Sequence, residues 1–200
     1  MDAEAFDLLK LTSKAVKEMS EGELLQIEKA RHLDITEEVY FEIIKRKTAS
    51  LISACCACGA ASTDANKDQV DKMWAFGEKT GLAFQIKDDL LDLGDGTKTG
   101  KPTGQDIREK KITLPLIHTL KNADRRTRKK IIRMVKRAPK DPDAVKWVMN
   151  AIIAGPGIEY ARVKMAELRN DAVNMLDAFE DTDSRKALIN MLDFTIERTR

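Results

Sequence analysis

Long apolar stretches and paired cysteines are missing from this chain of 200 residues, and both absences restrict what it can be. No apolar run is long enough to cross a bilayer, and the acidic residues Asp2, Glu4 and Asp7 make the start of the chain unlike a signal peptide. The three cysteines all lie within residues 55–58, so they cannot form a disulfide framework. We expect a soluble, cytoplasmic protein with free thiols.

A strong net charge is also missing. Lysine and arginine total 35 and aspartate and glutamate total 33, so the formal net charge of +2 gives no reason to expect a nucleic acid partner. One local exception is the basic run from Lys121 to Lys140, which could contact phosphates or an anionic membrane. Because Ile131, Ile132 and Val135 rather than aromatic residues lie between its cations, the pattern favours the solvated face of an amphipathic helix.

Proline and glycine are scarce, with five and ten residues, and they fall mostly between stretches of helix-forming residues. Apolar residues recur at helical spacing in three long segments, at about 4–30, 36–59 and 67–93. Further helices are predicted after the glycine-rich loop 94–104, and the alternation of β-branched residues that is typical of strands is missing. The sequence predicts one all-α domain, a helix bundle.

Helix boundaries are also indicated in the second half of the chain. Asp124 is a predicted cap, and Asp141 followed by proline is a stronger start signal because proline fits the first helical turn. The apolar stripe from Ile158 to Phe179 predicts one long helix.

The most informative stretch is FQIKDDLLD, at residues 84–92. On a helix, Gln85, Asp88, Asp89 and Asp92 fall within one broad face, because residues three and four apart lie over one another. Three carboxylates that converge without a matching base repel one another, and carboxylate oxygens are the ligands that Mg²⁺ prefers. Read by themselves, these acids also fit a solvated helix end.

Basic residues close to these acids favour the metal interpretation. GKPTGQD, residues 100–106, follows the acids directly, and Lys110 and Lys111 come next, just before the segment TLP. Lysines bind phosphates as point charges, and glycines let the backbone approach a diphosphate. Acids, Mg²⁺ and lysines together would form a diphosphate-binding site.

These segments resemble a known family. The run from Gln85 to Ile117 is similar to the second aspartate-rich region of trans-type polyprenyl diphosphate synthases, with its downstream GKP-G-D and T-LP-L elements. KTASLISACCACGA, which begins at Lys47, resembles the family's lysine-threonine helix, and GELLQ at 22–26 and GIEYA at 157–161 also match. The resemblance covers nearly the whole chain.

The resemblance implies an isoprenoid-synthase-type helix bundle and assigns roles to individual residues. Three aspartates would bind Mg²⁺, with Asp88 the foremost direct ligand: Asp88, Asp89 and Asp92. The allylic diphosphate would be bound by Lys47, Thr48, Gln85, Lys101 and Lys111, and the residues expected to act in catalysis are Lys47, Asp88 and Lys101. Lys110 stands where the family usually has glycine, which leaves open whether Lys110 or Lys111 contacts the diphosphate.

The implied reaction is prenyl transfer, in which an allylic diphosphate is condensed with isopentenyl diphosphate to make a longer trans-polyprenyl diphosphate. The family's first DDxxD motif is missing, because Asp88-Asp89 is the sequence's only adjacent aspartate pair. We therefore expect residues 1–200 to be the carboxy-terminal part of a single synthase domain that lacks its amino-terminal helices, and to be inactive by themselves. The full-length parent would be a homodimer.

Two other functions stay open at this stage. A terpene-cyclase-like enzyme would ionise a diphosphate without a second substrate, although the GKP-G-D loop and the KTAS segment argue against it. A non-catalytic regulatory subunit of a heteromeric prenyl synthase would also suit the missing first motif.

Overall fold

The computed structural model describes residues 3–32, 36–63, 65–94 and 103–198, and every regular element within these ranges is a helix. The predicted all-α fold is therefore confirmed. None of the helices described is long and apolar enough to cross a membrane. The helices are α1 (Ala3–His32), α2 (Glu37–Ile44), α3 (Ser50–Ala61), α4 (Lys67–Asp92), α5 (Gln105–Arg108), α6 (Leu114–Asn122), α7 (Arg125–Arg137), α8 (Pro142–Ile153), α9 (Gly157–Leu176) and α10 (Asp183–Glu197).

Both predicted caps are present. The Asp124 carboxylate accepts from the backbone N–H groups of Arg126 and Thr127 at the start of α7, at 2.8 and 3.1 Å. Asp141 does the same at the start of α8, where it accepts two backbone N–H groups at 3.1 Å. Each carboxylate thus satisfies amides that have no partner within their own helix.

The structure differs from the predicted helix pattern in three places. The segment predicted as one helix at 36–59 contains a π-helical stretch, Lys45–Ala49, between α2 and α3. Helix α5 was not predicted. Helix α9 ends at Leu176, whereas the apolar stripe predicted a helix as far as Phe179. The prediction extends too far because apolar spacing indicates burial, and Phe179 packs against the core although it lies beyond the end of the helix.

The described chain folds into two compact units. The first contains the amino-terminal segment up to Gln26, together with Phe41–Gln85 and Met165–Glu197. Its core is formed by fully buried side chains from α4, α9 and α10, and one partly buried residue of α3, Cys56, packs against them. The buried residues are Phe76, Ala172, Leu176 and Leu192.

The second unit contains Ile27–Tyr40, Ile86–Lys164 and Arg198. In this unit α8 packs against α5, α6 and α7. Each of these helices contributes aliphatic side chains that are almost completely buried, and burial of one such side chain contributes about 1.5–3 kcal/mol. They include Ile107, Leu114, Leu116, Ile131, Val148 and Ile152.

Helices α3 and α4 of the first unit approach each other unusually closely. A Cβ atom added to Gly81 would lie 2.5 Å from the Cα of Ala49, and one added to Gly77 would lie 2.6 Å from the Cα of Ser53. Both partners are small, and the two pairs are spaced by four residues on each helix. Glycine is therefore required at these positions by the contact between backbones, and this contact fixes how α4 lies against Lys45–Ala49 and α3.

We predict that Gly81→Ala destabilises the protein by about 1–3 kcal/mol, because the new methyl group meets backbone atoms that cannot move aside. Gly59→Ala is the matched control, since this exposed glycine of α3 has no atom within 4 Å of the added Cβ. Gly59→Ala should stabilise the protein by about 0.5–1 kcal/mol, because alanine lowers the conformational entropy of the unfolded chain. Urea unfolding of both variants measures the difference, and an unchanged stability in Gly81→Ala would show that the close approach is not tight.

Candidate active site

The three aspartates predicted to bind a metal lie in the last two turns of α4, and each makes different contacts. Asp89 is buried, with 4% of its surface exposed, whereas Asp88 is exposed and Asp92 is half-buried. Within the described residues, no group of three His, Cys, Asp or Glu side chains is arranged around a common point as metal ligands. The aspartates differ because other parts of the second unit contact each of them separately.

Asp89 contacts a tyrosine from a distant helix. The hydroxyl of Tyr40, in α2, donates to Asp89 Oδ2 at 2.8 Å in a buried hydrogen bond across 49 positions of sequence. Burial and the Asp89 charge raise the pKa of Tyr40 well above its ordinary value, so its hydroxyl keeps its proton and acts as a donor. Tyr40 therefore fixes the orientation of the Asp89 carboxylate. Sequence reasoning missed this residue, since nothing in its local pattern marks it.

Asp92 holds the chain segment that follows the glycine-rich loop. Its two carboxylate oxygens accept from the backbone N–H groups of Gln105 and Asp106, at 2.9 and 3.1 Å, and its carbonyl accepts from Gly104 N–H. Burial and the Asp106 charge raise the pKa of Asp92, although these amides and Lys111 oppose the shift. Asp92 thus acts as a cap for α5.

Asp88 is the most accessible of the three. Its Oδ1 forms an ion pair with Arg198 Nη2 at 3.2 Å, and the Asp88 side chain is 56% exposed. Because more than half of the Asp88 side chain is exposed, another ligand can reach its carboxylate.

Lys111 is paired with two other acids, Asp106 and Glu109, and Lys110 forms the turn before it. Lys111 Nζ bonds Asp106 at 3.1 Å and Glu109 at 2.8 Å. Burial disfavours its charged form, but the hydrogen bonds and charges of Glu109 and Asp106 outweigh it and raise the pKa of Lys111. Of the two lysines, Lys111 is the one held next to the carboxylates.

Lys110 adopts a left-handed conformation, with φ 58°. The N–H groups of Lys110 and Lys111 bond the carbonyls of Ile107 and Asp106, which is the Schellman arrangement that ends α5. The position of Lys110 in this arrangement strongly favours glycine. The backbone therefore keeps the conformation that glycine favours, although the residue is lysine.

Lys47 and Thr48 lie in the π-helical segment of the first unit, a kind of helix irregularity that is frequent at functional sites. Lys47 Nζ contacts Glu23 at 2.5 Å and Gln26 at 3.1 Å. Both partners belong to the GELLQ segment of α1, whose first residue, Gly22, leaves room for the backbone of Lys47. GELLQ is one of the segments that resemble the family, but the sequence pattern does not predict its contact with Lys47.

Thr48 and Gln85 are brought together by the close packing of α3 and α4. The Thr48 hydroxyl donates to Gln85 Oε1 at 3.1 Å. Gln85 lies one turn beyond Gly81 and one turn before Asp88 and Asp89 on the same helix. Lys101 lies outside the described residues.

The donor set fits Mg²⁺ chemically. Mg²⁺ is usually held by one or two carboxylates while substrate phosphates and waters complete its octahedron, so three converging aspartates are not required. Asp88 and Asp89 carry hard carboxylate oxygens on adjacent residues, whereas both oxygens of Asp92 already accept backbone amides.

We predict that Lys110→Gly stabilises the protein by about 1 kcal/mol, because glycine adopts the left-handed conformation without the clash that a side chain causes. Lys110→Ala is the control, since alanine removes the charge and keeps the clash. Urea unfolding compares the three proteins. A gain in Lys110→Ala equal to that in Lys110→Gly would attribute the effect to charge rather than to backbone conformation.

We predict that Tyr40→Phe destabilises the protein by about 1.5–3 kcal/mol, because it removes a buried hydrogen bond to a charged carboxylate. Tyr160→Phe is the comparison, since the Tyr160 hydroxyl donates to Glu37, which is only half-buried. Thermal and urea unfolding should show the smaller loss for Tyr160→Phe. Equal losses of unfolding free energy in the two variants would mean that the burial of Asp89 does not make its hydrogen bond costlier to remove.

Curated proteins similar to this chain include two synthases. The short chain isoprenyl diphosphate synthase of Methanocaldococcus jannaschii is 35% identical over 195 residues, which are 97% of this chain and 58% of that protein. The octaprenyl diphosphate synthase of Escherichia coli is 32% identical, over 96% of this chain and 60% of that protein. The chain thus spans about three fifths of the length of the curated relatives that it matches.

Solved structures agree in fold. A decaprenyl diphosphate synthase from Rhodobacter capsulatus matches with a TM-score of 0.89 and 32% identity, over 98% of this chain and 60% of that one. A polyprenyl synthase from Caulobacter crescentus, complexed with calcium and isoprenyl diphosphate, matches with a TM-score of 0.90 and 30% identity. The match covers 97% of this chain and 60% of that one. The family model described as Polyprenyl synthetase matches residues 1–152, and the chain therefore belongs to the polyprenyl synthetase family.

Proposed function

We propose that this chain supplies the second metal site and the diphosphate-binding residues of a trans-polyprenyl diphosphate synthase. The observation that carries the proposal is the pair of polar groups on consecutive turns of α4, where Gln85 is held by Thr48 and the accessible carboxylate of Asp88 follows one turn later. The calcium and isoprenyl diphosphate in the complex of the Caulobacter crescentus relative support the same chemistry. A synthase of which this chain would be a part is proposed to be a cytoplasmic homodimer.

The reaction proposed is the condensation of an allylic diphosphate with isopentenyl diphosphate. The allylic carbon–oxygen bond breaks, and the diphosphate leaves with the bonding electron pair. The double bond of isopentenyl diphosphate attacks the resulting cation to form a carbon–carbon bond, and a proton is then lost. No protein nucleophile is required, so the residues act by binding and by stabilising charge.

Each residue has a role in this proposal. Asp88 and Asp89 would hold Mg²⁺, which when bound supplies charge stabilisation to the diphosphate oxygens. The sequence-based metal set also includes Asp92, whose contacts favour a role in holding the loop. Lys47, Lys111 and, by resemblance, Lys101 would contact the diphosphate, and Thr48 would orient Gln85 toward it.

Lys47 and Lys111 are already paired with carboxylates, and this has a consequence for binding. Each lysine must exchange a carboxylate partner for a diphosphate oxygen, and both exchanges take place at half-exposed side chains, where an ion pair contributes only about 0–1 kcal/mol. The cost of release is therefore small compared with a charge-assisted bond to a diphosphate.

Titration calorimetry with an allylic diphosphate and Mg²⁺ tests the binding role. We predict that Asp88→Asn and Lys47→Ala each weaken binding by about tenfold or more, because each removes one charge-assisted contact. Asp143→Asn is the control, since this exposed acid lies in the first turn of α8, and it should bind like the unaltered chain. Equal affinity in Asp88→Asn and Asp143→Asn would contradict the assignment, as would binding that is unchanged by EDTA.

The same chain incubated with Mg²⁺, an allylic diphosphate and isopentenyl diphosphate is expected to give no prenyl transfer. The reason is that its one adjacent aspartate pair, Asp88-Asp89, provides only one of the family's two aspartate-rich motifs. Appreciable transfer would overturn the inactivity and leave the binding role intact.

A further inference from the structure

Helix α7 is an almost purely basic surface. Its thirteen residues, Arg125–Arg137, include eight lysines and arginines and no acid, and all eight cations are exposed. At 100° per residue, seven of the eight lie within an arc of about 140° that is centred opposite the buried residues Ile131 and Val135. The arc contains Arg125, Arg126, Lys129, Lys130, Arg133, Lys136 and Arg137.

The positive charge of α7 contrasts with the net charge of the rest of the chain. The net charge of +2 includes the eight cations of α7, so the remaining residues carry six more acids than bases. The chain is therefore not uniformly neutral: one face of one helix is strongly positive and the remainder is negative on balance. An anionic surface would attract this one face and repel the rest, which would orient the molecule.

Few of these cations are neutralised within the protein. Arg137 pairs with Asp141 at 2.6 Å, and Lys130 lies over the ring of Trp147, 4.5 Å from its centroid. In the ranges of chain that the structure describes, no ion pair is formed by Arg125, Lys129, Arg133 or Lys136. Isolated exposed lysines need no explanation, but several like charges on one face repel one another and are normally interleaved with acids.

The apolar face of α7 is used within the fold. Ile131 and Val135 are buried, and α7 packs against α6 and α8 of the second unit. The helix therefore cannot insert an apolar face into a bilayer while the unit stays folded. Any partner must be bound by charge, at an extended surface about 20 Å long rather than at a single phosphate.

We propose that α7 docks the protein onto an anionic lipid surface through this cationic arc. Clusters of four to eight lysines and arginines on an amphipathic helix are a recognised feature of such binding, and each cation near the surface contributes about 1 kcal/mol. A lipid surface is favoured over a nucleic acid because α7 itself contains no aromatic residue for base stacking, and Lys130 lies over the ring of the neighbouring Trp147. The choice also rests on the proposed function, since a longer prenyl diphosphate is itself an anionic amphiphile that enters such a surface.

Vesicle cosedimentation of the 200-residue chain tests the proposal without any isoprenoid substrate, so its failure leaves the proposed function untouched. The chain should bind phosphatidylcholine vesicles that contain phosphatidylglycerol and should not bind vesicles of phosphatidylcholine alone. Raising the salt concentration should release it, since the Debye length falls from about 10 Å at 0.1 M to about 3 Å at 1 M. The variant K129Q/R133Q/K136Q should bind about a hundredfold more weakly.

The matched control is K10Q/K67Q/K186Q, which removes the same charge from exposed positions of α1, α4 and α10. It should bind anionic vesicles within a few-fold of the unaltered chain, and circular dichroism should show both variants folded. The proposal is overturned if the unaltered chain does not bind anionic vesicles at low salt, or if the two variants lose binding equally. The proposal is also overturned if the unaltered chain binds duplex DNA more tightly than anionic vesicles and the α7 variant loses that DNA binding. Nucleic acid, rather than lipid, would then be the partner.

Discussion

The backbone contact between α3 and α4 is the constraint on which the position of Gln85 depends. Gly77 and Gly81 let α4 approach the backbone of Ala49 and Ser53 to distances that leave no room for a Cβ atom. The hydrogen bond between Thr48 and Gln85 forms immediately next to this contact. Because Gln85 lies one turn after Gly81 on α4, this contact sets the position of Gln85 directly.

The charged groups of the candidate site that the structure describes have partners within the protein. Lys47 is held by Glu23, Lys111 by Asp106 and Glu109, and Asp88 by Arg198. These pairs keep like charges apart and hold long side chains in defined positions, so less conformational entropy is lost when a ligand binds. Asp89 and Asp92 are held more permanently, because their partners are a buried hydroxyl and two backbone amides.

Much of the fold could be predicted from the sequence, because helix spacing, caps and the acidic face are local patterns. Asp124 and Asp141 are caps for reasons that lie within three residues of each. Tyr40 could not be predicted, because its partner Asp89 is 49 positions away and only tertiary packing brings the two together. The π-helical turn at Lys47 and the left-handed conformation of Lys110 likewise depend on packing and on chain reversal, which override local preference.

The most direct test of the account is whether a metal–diphosphate complex binds at the residues assigned to it. Mn²⁺ in place of Mg²⁺, added with an allylic diphosphate to the isotope-labelled chain, broadens the NMR signals of amides close to the metal. Broadening is expected to centre on residues 85–92. Broadening confined to another acidic segment, such as Glu180–Asp183, would contradict it.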